Sequence, residues 1–236
     1  FKGEPLTPQR LKILRGRQIS LIPQSVTSLN PLLRVGLQVA RAAQLGGIAR
    51  KDVPTTVRQA FTRYLLPEEV MGWYPFQLSG GMARRVLTAT ATVGKADLII
   101  ADEPTSGLDP VAIREALGHL RELADTGKAV LLITHDIEAA LQIADMITVF
   151  CAGSTVEVAR AEDYNFPDQL RHPYTKALWA SLPINGFIST GLPPGRISPA
   201  AGCSFHHCCN DQNSDCCRNI PDLKSSAKGW VRCHHA

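Results

Sequence analysis

No stretch of the 236-residue sequence approaches the roughly 18 to 20 consecutive apolar residues that a bilayer-spanning helix requires, so any membrane role has to come through a partner. The longest apolar candidates, such as Ala129-Val130-Leu131-Leu132-Ile133, have the length of buried strands. The chain opens at Phe1 with neither an initiator methionine nor the succession of charged, apolar and small residues that marks a secretory signal. That points to a cytosolic location and a missing N-terminus. Charge of either sign is not in excess: 25 Lys and Arg against 21 Asp and Glu leave +4, too little to demand a nucleic acid. Internal repeats are absent as well. Cysteine is nearly missing until the tail, for only Cys151 precedes the six that crowd between Cys203 and Cys233. In a reducing compartment such clustering marks a metal or cluster more often than disulfides, whereas in a secreted chain it would read as a disulfide framework.

What is present is chemistry concentrated in little more than thirty residues. Leu78-Ser79-Gly80-Gly81-Met82 is a glycine-rich turn opening a helix, and such a turn offers unpaired backbone N–H groups to a phosphate. The apolar run Leu98-Ile99-Ile100-Ala101 ends in Asp102-Glu103, one carboxylate for a magnesium ion and another to orient or deprotonate an attacking water. These pieces read as nucleotide hydrolysis.

At 44% hydrophobic, the chain can bury one substantial core. Ile19 to Ile22 reads as a short strand with Gln24 just after it, and the pattern from Pro31 to about Tyr64 is helical. Ser79 is a plausible cap for a helix running to Ala91. Two alternations of strand and helix follow, which argue for a mostly parallel sheet in an α/β domain. The first has a strand at Leu98 to Ala101 and a helix capped by Asp109, opened by Pro110, ended by Gly127, with Ile113, Leu117, Leu120 and Ala124 on its apolar face. The second has a strand at Ala129 to Thr134, and His135-Asp136 leads into its helix. Met146 to Cys151 is expected as a last strand before a loop at Ala152-Gly153-Ser154. Beyond Pro183, Gly186, Gly191, Pro193, Pro194, Gly195 and Pro199 crowd a segment without periodicity, which reads as a linker.

In order and spacing these motifs resemble the ATP-binding subunit of an ABC (ATP-binding cassette) transporter. Leu78-Ser79-Gly80-Gly81 is similar to the family signature, the strand ending in Asp102-Glu103 to its Walker B segment, and Ser106-Gly107-Leu108-Asp109 to its D-loop. The resemblance implies a P-loop NTPase-type α/β core with a mostly parallel sheet and a helical subdomain at about residues 31–90. It implies ATP and Mg²⁺, with Glu103 as catalytic base and Asp102 on the metal. His135 matches the switch histidine that contacts the γ-phosphate and the opposing D-loop. Gln24 matches the Q-loop glutamine, which touches the metal and moves with the membrane partner. Ser79, Gly80 and Gly81 would then serve ATP held by another subunit, with Asp109 in the D-loop. Activity is expected of a head-to-tail dimer of homologous or identical ATPase subunits. Two transmembrane permeases and, indirectly, an external substrate-binding protein would complete the assembly, peripheral at the cytoplasmic face of the plasma (inner) membrane, with no nucleic acid. The family's phosphate loop, Gly-x-x-x-x-Gly-Lys-Ser/Thr, occurs nowhere in the sequence, and only 23 residues precede Gln24. Without its lysine and backbone cradle, this chain alone is expected not to hydrolyse ATP, and truncation accounts for the gap better than degeneration.

Two later features resemble one branch of that family. Arg171-His172-Pro173-Tyr174-Thr175-Lys176-Ala177-Leu178 is similar to the extension of the dipeptide, oligopeptide and nickel importers. Cys203, Cys209, Cys216 and Cys233 are similar to the cysteine pattern that ends these subunits, which implies a [4Fe-4S] cluster, with Zn²⁺ as the alternative because thiolates suit both. Cys208 and Cys217, each beside one of those residues, leave the ligand choice open by one position at two of four places. Met82-Ala83-Arg84-Arg85-Val86 looks more like nickel and metallophore importers than peptide transporters. The expected organisation is an ATPase domain over residues 1–155, an extension and linker over 156–200, and a metal- or cluster-binding tail over 201–236. The expected function is energising import of peptides, nickel or a metal chelate. A soluble ABC protein without a transport role, or a degenerate fragment retaining only a metal-binding tail, are the alternatives.

Overall fold

The computed structural model describes residues 1–187, 202–226 and 229–236, which gather into two compact units, residues 1–136 and 137–236. The first unit opens with helix α1 (Pro8–Leu14), capped by the Thr7 hydroxyl, and strand β1 (Ile19–Ile22). Helices α2 (Val35–Leu45), α3 (Val53–Arg63) and α4 (Gly80–Thr92) then make the expected helical part. Val35, Val39, Val57, Phe61, Val70 and Val86 are its fully or almost fully buried centre, and burying a side chain such as Phe61 stabilises by roughly 2 kcal/mol. Two backbones touch here. Gly46 ends α2 against Gly94, a Cβ on either residue would come within 3 Å of the other's Cα, and the Lys95 N–H donates to the Gly46 carbonyl at 3.0 Å.

Strand β2 (Leu98–Asp102), helix α5 (Pro110–Asp125) and strand β3 (Ala129–Ile133) complete the unit. The strands form a parallel sheet in the order β1-β2-β3, and α5 supplies the crossover that parallel neighbours require. Asp109 Oδ1 accepts the N–H groups of Val111 and Ala112 at 2.9 and 3.1 Å, which fixes where α5 begins. Its buried residues are Leu117, Leu120 and Leu123, the last in the place expected of Ala124. The register sets Ile22 beside Ala101 and Asp102 beside Ile133, so the carboxyl ends of all three strands finish along one edge. One face of the sheet is buried, at Ile99 and Ala101. On the other, Leu21, Ile100 and Leu131 form one cross-strand row in which Leu21 and Leu131 are 54% and 50% exposed. β3 is therefore not the wholly buried strand its composition suggests, since a strand buries every second residue unless both faces are covered.

The second unit starts with helix α6 (Ile137–Ile143) and departs further from expectation. Strands β4 (Met146–Cys151) and β5 (Ser154–Arg160) are an antiparallel hairpin, with Ala152 and Gly153 both at positive φ in its two-residue turn. After helices α7 (Pro173–Ala180) and α8 (Ser214–Arg218), β6 (Lys224–Ser226) and β7 (Gly229–Val231) join the same sheet, in the order β4-β5-β7-β6. Among the named strands, parallel pairing joins β1, β2 and β3, and the pairings of the second unit are antiparallel. The Arg171 to Thr175 run is structural. Glu157, with no exposed surface, accepts the Arg171 N–H and Nε on Oε1, at 2.9 and 3.2 Å, and the His172 N–H on Oε2, at 3.0 Å. Arg171 Nη2 also donates to the carbonyls of Val158 and Trp230, joining β5 to β7, while His172 Nδ1 accepts the Tyr174 N–H and caps α7. The expected linker lies largely in 188–201, outside the described residues.

Candidate active site

Ligands of open α/β sheets bind beyond the carboxyl ends of the strands. The first unit places Gln24 after β1, Asp102 and Glu103 at the end of β2, and Thr134 and His135 after β3. Four of the expected residues therefore share one edge, although they are spread over more than a hundred positions of sequence. Gln24 is exposed there.

Glu103 is the most constrained of them. It sits at φ +45°, a left-handed conformation that costs a non-glycine residue about 1–2 kcal/mol and persists only where its surroundings over-determine it. Its N–H continues the ladder to the Ile133 carbonyl at 2.9 Å. Its carbonyl accepts Arg84 Nη1 at 3.0 Å and the Ser106 N–H at 3.2 Å. Its carboxylate turns to the end of β3, where Oε1 accepts the His135 N–H at 3.0 Å and lies 2.8 Å from His135 Nδ1. The Thr134 hydroxyl stands 3.5 Å from Oε2. The carboxylate is 15% exposed and the imidazole 81% exposed, so a mostly buried anion is tied to a solvent-facing base. That hydrogen bond, then the charge of Glu103, raises the His135 pKa above its ordinary value.

The signature lies at the start of α4. Ser79 Oγ accepts the Met82 N–H at 3.2 Å as the cap, and Ser79, Gly80 and Gly81 are exposed. Neither glycine has a positive φ, and a Cβ added to either would meet nothing within 4 Å. The fold of this chain therefore does not itself demand glycine there, which fits close approach by a group from outside. The first-turn amides have no intrahelical acceptor and lie at the positive end of the helix dipole, so an anion suits them. A groove of about 290 Å³ is lined by Ser79, Gly81, Arg84, Gly107 and Asp109 among others. Asp109 is held below the usual carboxylate range by the two amides it caps. Arg84 was legible in sequence only as part of a branch marker. Its place one turn beyond Gly80, on the same helix face, is the signal that could have found it.

The tail cysteines are a different matter. None of the seven cysteines, all among the described residues, is in a disulfide; Cys216 and Cys233 are buried, and the Cys203 N–H donates to the Cys216 carbonyl at 2.8 Å. Cys203 and Cys209 each feel the thiols of Cys216 and Cys233, and burial raises the pKa of both. Residue chemistry suits a soft metal, yet among the described residues no three His, Cys, Asp or Glu side chains converge as a metal site.

Comparison with known proteins agrees with this division. A family model described as ABC transporter matches residues 1–106, and one described as the oligopeptide/dipeptide transporter C-terminal region matches residues 156–216. The chain is 35% identical over 227 residues to the dipeptide transport ATP-binding protein DppD of Bacillus subtilis, covering 92% of this chain and 67% of that protein. It is 33% identical over 246 residues to the oligopeptide transport ATP-binding protein OppD of Salmonella typhimurium, covering 98% and 72%. Among solved structures, the dimeric ATP-binding cassette MJ0796, in a post-hydrolysis state bound to ADP and Pi, superposes with a TM-score of 0.60 at 26% identity. That match covers 66% of this chain and 68% of the other. By sequence, fold and the arrangement of its site, the chain belongs to the ABC transporter ATP-binding proteins, in the branch that carries the oligopeptide/dipeptide transporter C-terminal region.

Proposed function

We propose that this chain binds and hydrolyses ATP to energise import of dipeptides or oligopeptides, peripheral at the cytoplasmic face of a membrane. It would work head to tail with a homologous or identical ATPase subunit and two permeases that an external binding protein supplies. The observation that carries the reading is the Glu103 carboxylate, held at a strained backbone position and tied at Oε1 to His135, 2.8 Å away. With Oε1 engaged at short range and Oε2 touched, among the described residues, only by the Thr134 hydroxyl at 3.5 Å, Oε2 is the oxygen that takes the water, and Glu103 orients that water and takes its proton. Mg²⁺, held through water by Asp102 and reached by Gln24, would supply charge neutralisation on the phosphates. Ser79, Gly80 and Gly81 receive the γ-phosphate of the nucleotide bound by the opposing subunit, so each chain serves two ATP sites. The phosphate-loop pattern is not among these 236 residues, and turnover is expected of the intact importer rather than of this chain alone.

The relatives named above are peptide-transport proteins, which supports peptides over nickel or a metal chelate and over a soluble ABC protein. Cys203, Cys209, Cys216 and Cys233 are the residues that would hold a [4Fe-4S] cluster or Zn²⁺. Their residue chemistry supports this, their geometry does not yet form such a site, and no step above depends on it. In the intact importer, Glu103→Gln is expected to lower ATP turnover by about 10²- to 10⁴-fold while nucleotide still binds. Turnover equal to that of the unaltered importer would remove Glu103 as the base.

A further inference from the structure

We propose that Arg84 is a positioning residue for Glu103: one guanidinium ties the helix that presents the signature to the turn that aims the base. Arg84 Nη1 donates to the Glu103 carbonyl at 3.0 Å and Nη2 to the Ser106 carbonyl at 2.9 Å, so both ends of a tight turn hang from one rigid fork. Charge-assisted bonds of this kind are about twice as strong as neutral ones. They act here on a residue whose φ of +45° needs outside support. The same side chain lines the groove together with Ser79, Gly81, Gly107 and Asp109. The signature serves a nucleotide on the opposing subunit and Glu103 serves this chain's own, so Arg84, on the signature helix and hydrogen-bonded to the Glu103 carbonyl, is a direct bridge between the two half-sites. A displacement of α4 when the opposing phosphate docks pulls directly on the backbone of the base.

The neighbouring arginine does something else. Arg85 pairs with Glu115 on α5 at 3.1 Å, with both side chains more than a third exposed, so its guanidinium is directed to α5 and not to the Glu103 turn. Arg84→Lys keeps the charge but replaces two fixed nitrogens by one on a flexible stem, so the two carbonyls lose the rigid fork that holds them in one geometry.

The link takes its meaning from Glu103 being the base, but its test needs no turnover, so the two assignments fail separately. The probe is the His135 titration, read by two-dimensional NMR on the 236-residue chain, because Glu103 raises that pKa. Glu103 and Asp136 are the charged groups that act on His135. His119 is the internal control, since Glu122, Arg63, Glu115 and Arg85 act on it and Arg84 does not. Arg84→Ala is expected to let the His135 pKa fall toward the ordinary value of about 6.5 and to leave His119 unmoved, with Arg84→Lys intermediate. Arg85→Ala is expected to leave His135 in place. An unchanged His135 in Arg84→Ala, or equal shifts from Arg84→Ala and Arg85→Ala, would overturn the proposal. If Arg84→Ala does not fold, Arg84→Lys decides, and a His135 titration in it equal to that of the unaltered chain overturns the proposal too.

Discussion

Histidines 135 and 172 respond to their surroundings in opposite senses. His135 faces solvent and gains a carboxylate partner, so its pair with Glu103 is formed below the ordinary histidine pKa and lost as pH rises through the elevated one. His172 is 1% exposed, and burial pulls its pKa down to about 4 against a weaker upward pull from Glu157. Its Nδ1 must stay unprotonated to accept the Tyr174 N–H. Because the folded value lies below the unfolded one of about 6.5, the stability it confers is complete above that pH and drains away down to about 4, on the order of 3 kcal/mol in all. The melting temperature is therefore expected to fall between about pH 6.5 and about pH 4, and less steeply in His172→Asn, whose amide oxygen can still cap α7. Equal pH slopes for the two proteins would refute this. At this scale, the residues whose roles depend on nearest neighbours were legible in sequence. Ser79 and Asp109 are caps, and Asp102 ends a strand. Arg84 was not, because its acceptors lie 19 and 22 positions away and only the fold brings them within reach.

Among the elements, α2 to α6 and the parallel strands lie where periodicity puts them, with ends set by Ser79, Asp109 and Gly127, whereas α1 and α8, seven and five residues long, went unread. The antiparallel hairpin went unread. Ala152-Gly153 is a two-residue turn with both φ angles positive, but alanine there is uncommon and lacks the Asn-Gly or Asp-Gly signature. β6 and β7 are three residues each, too short for alternation to show, and are held by pairing, β7 with β5 and β6 with β7, rather than by their own composition. The Gly46 to Gly94 contact is another tertiary fact. Gly94→Ala would set a methyl 2.9 Å from the Gly46 Cα, backbone against backbone, and is expected to destabilise by about 1–3 kcal/mol. Gly118→Ala, which meets nothing within 4 Å, is expected to be neutral or mildly stabilising. Denaturant midpoints of the two variants measure the difference. A Gly94→Ala chain as stable as Gly118→Ala would show that α2 and the turn after α4 can part without cost.

For the molecule as a whole, the residues proposed for hydrolysis lie in one unit and the tail in the other. The tail is anchored to its own unit, since β7 pairs with β5 and Arg171 reaches Trp230. If the four cysteines take up a cluster, protein purified without oxygen is expected to be brown and to carry iron and sulfide. Bound zinc instead would give a colourless protein with one zinc per chain. Protein with neither metal would remove the proposal that these thiols are ligands. By itself the sequence determined the chemistry on offer: a phosphate-accepting helix start, two carboxylates ending an apolar strand, a histidine after the next strand, and soft donors in the tail. Those signals are local, because capping, strand termination and side-chain type depend on a few neighbouring residues. Only the tertiary structure decided that Glu103 and His135 meet at 2.8 Å, that Arg84 donates to the carbonyls at both ends of the turn from Glu103 to Ser106, and that among the described residues no three His, Cys, Asp or Glu side chains converge as a metal site. Such distances are set by how elements far apart in the chain pack together, and no spacing along the sequence encodes them.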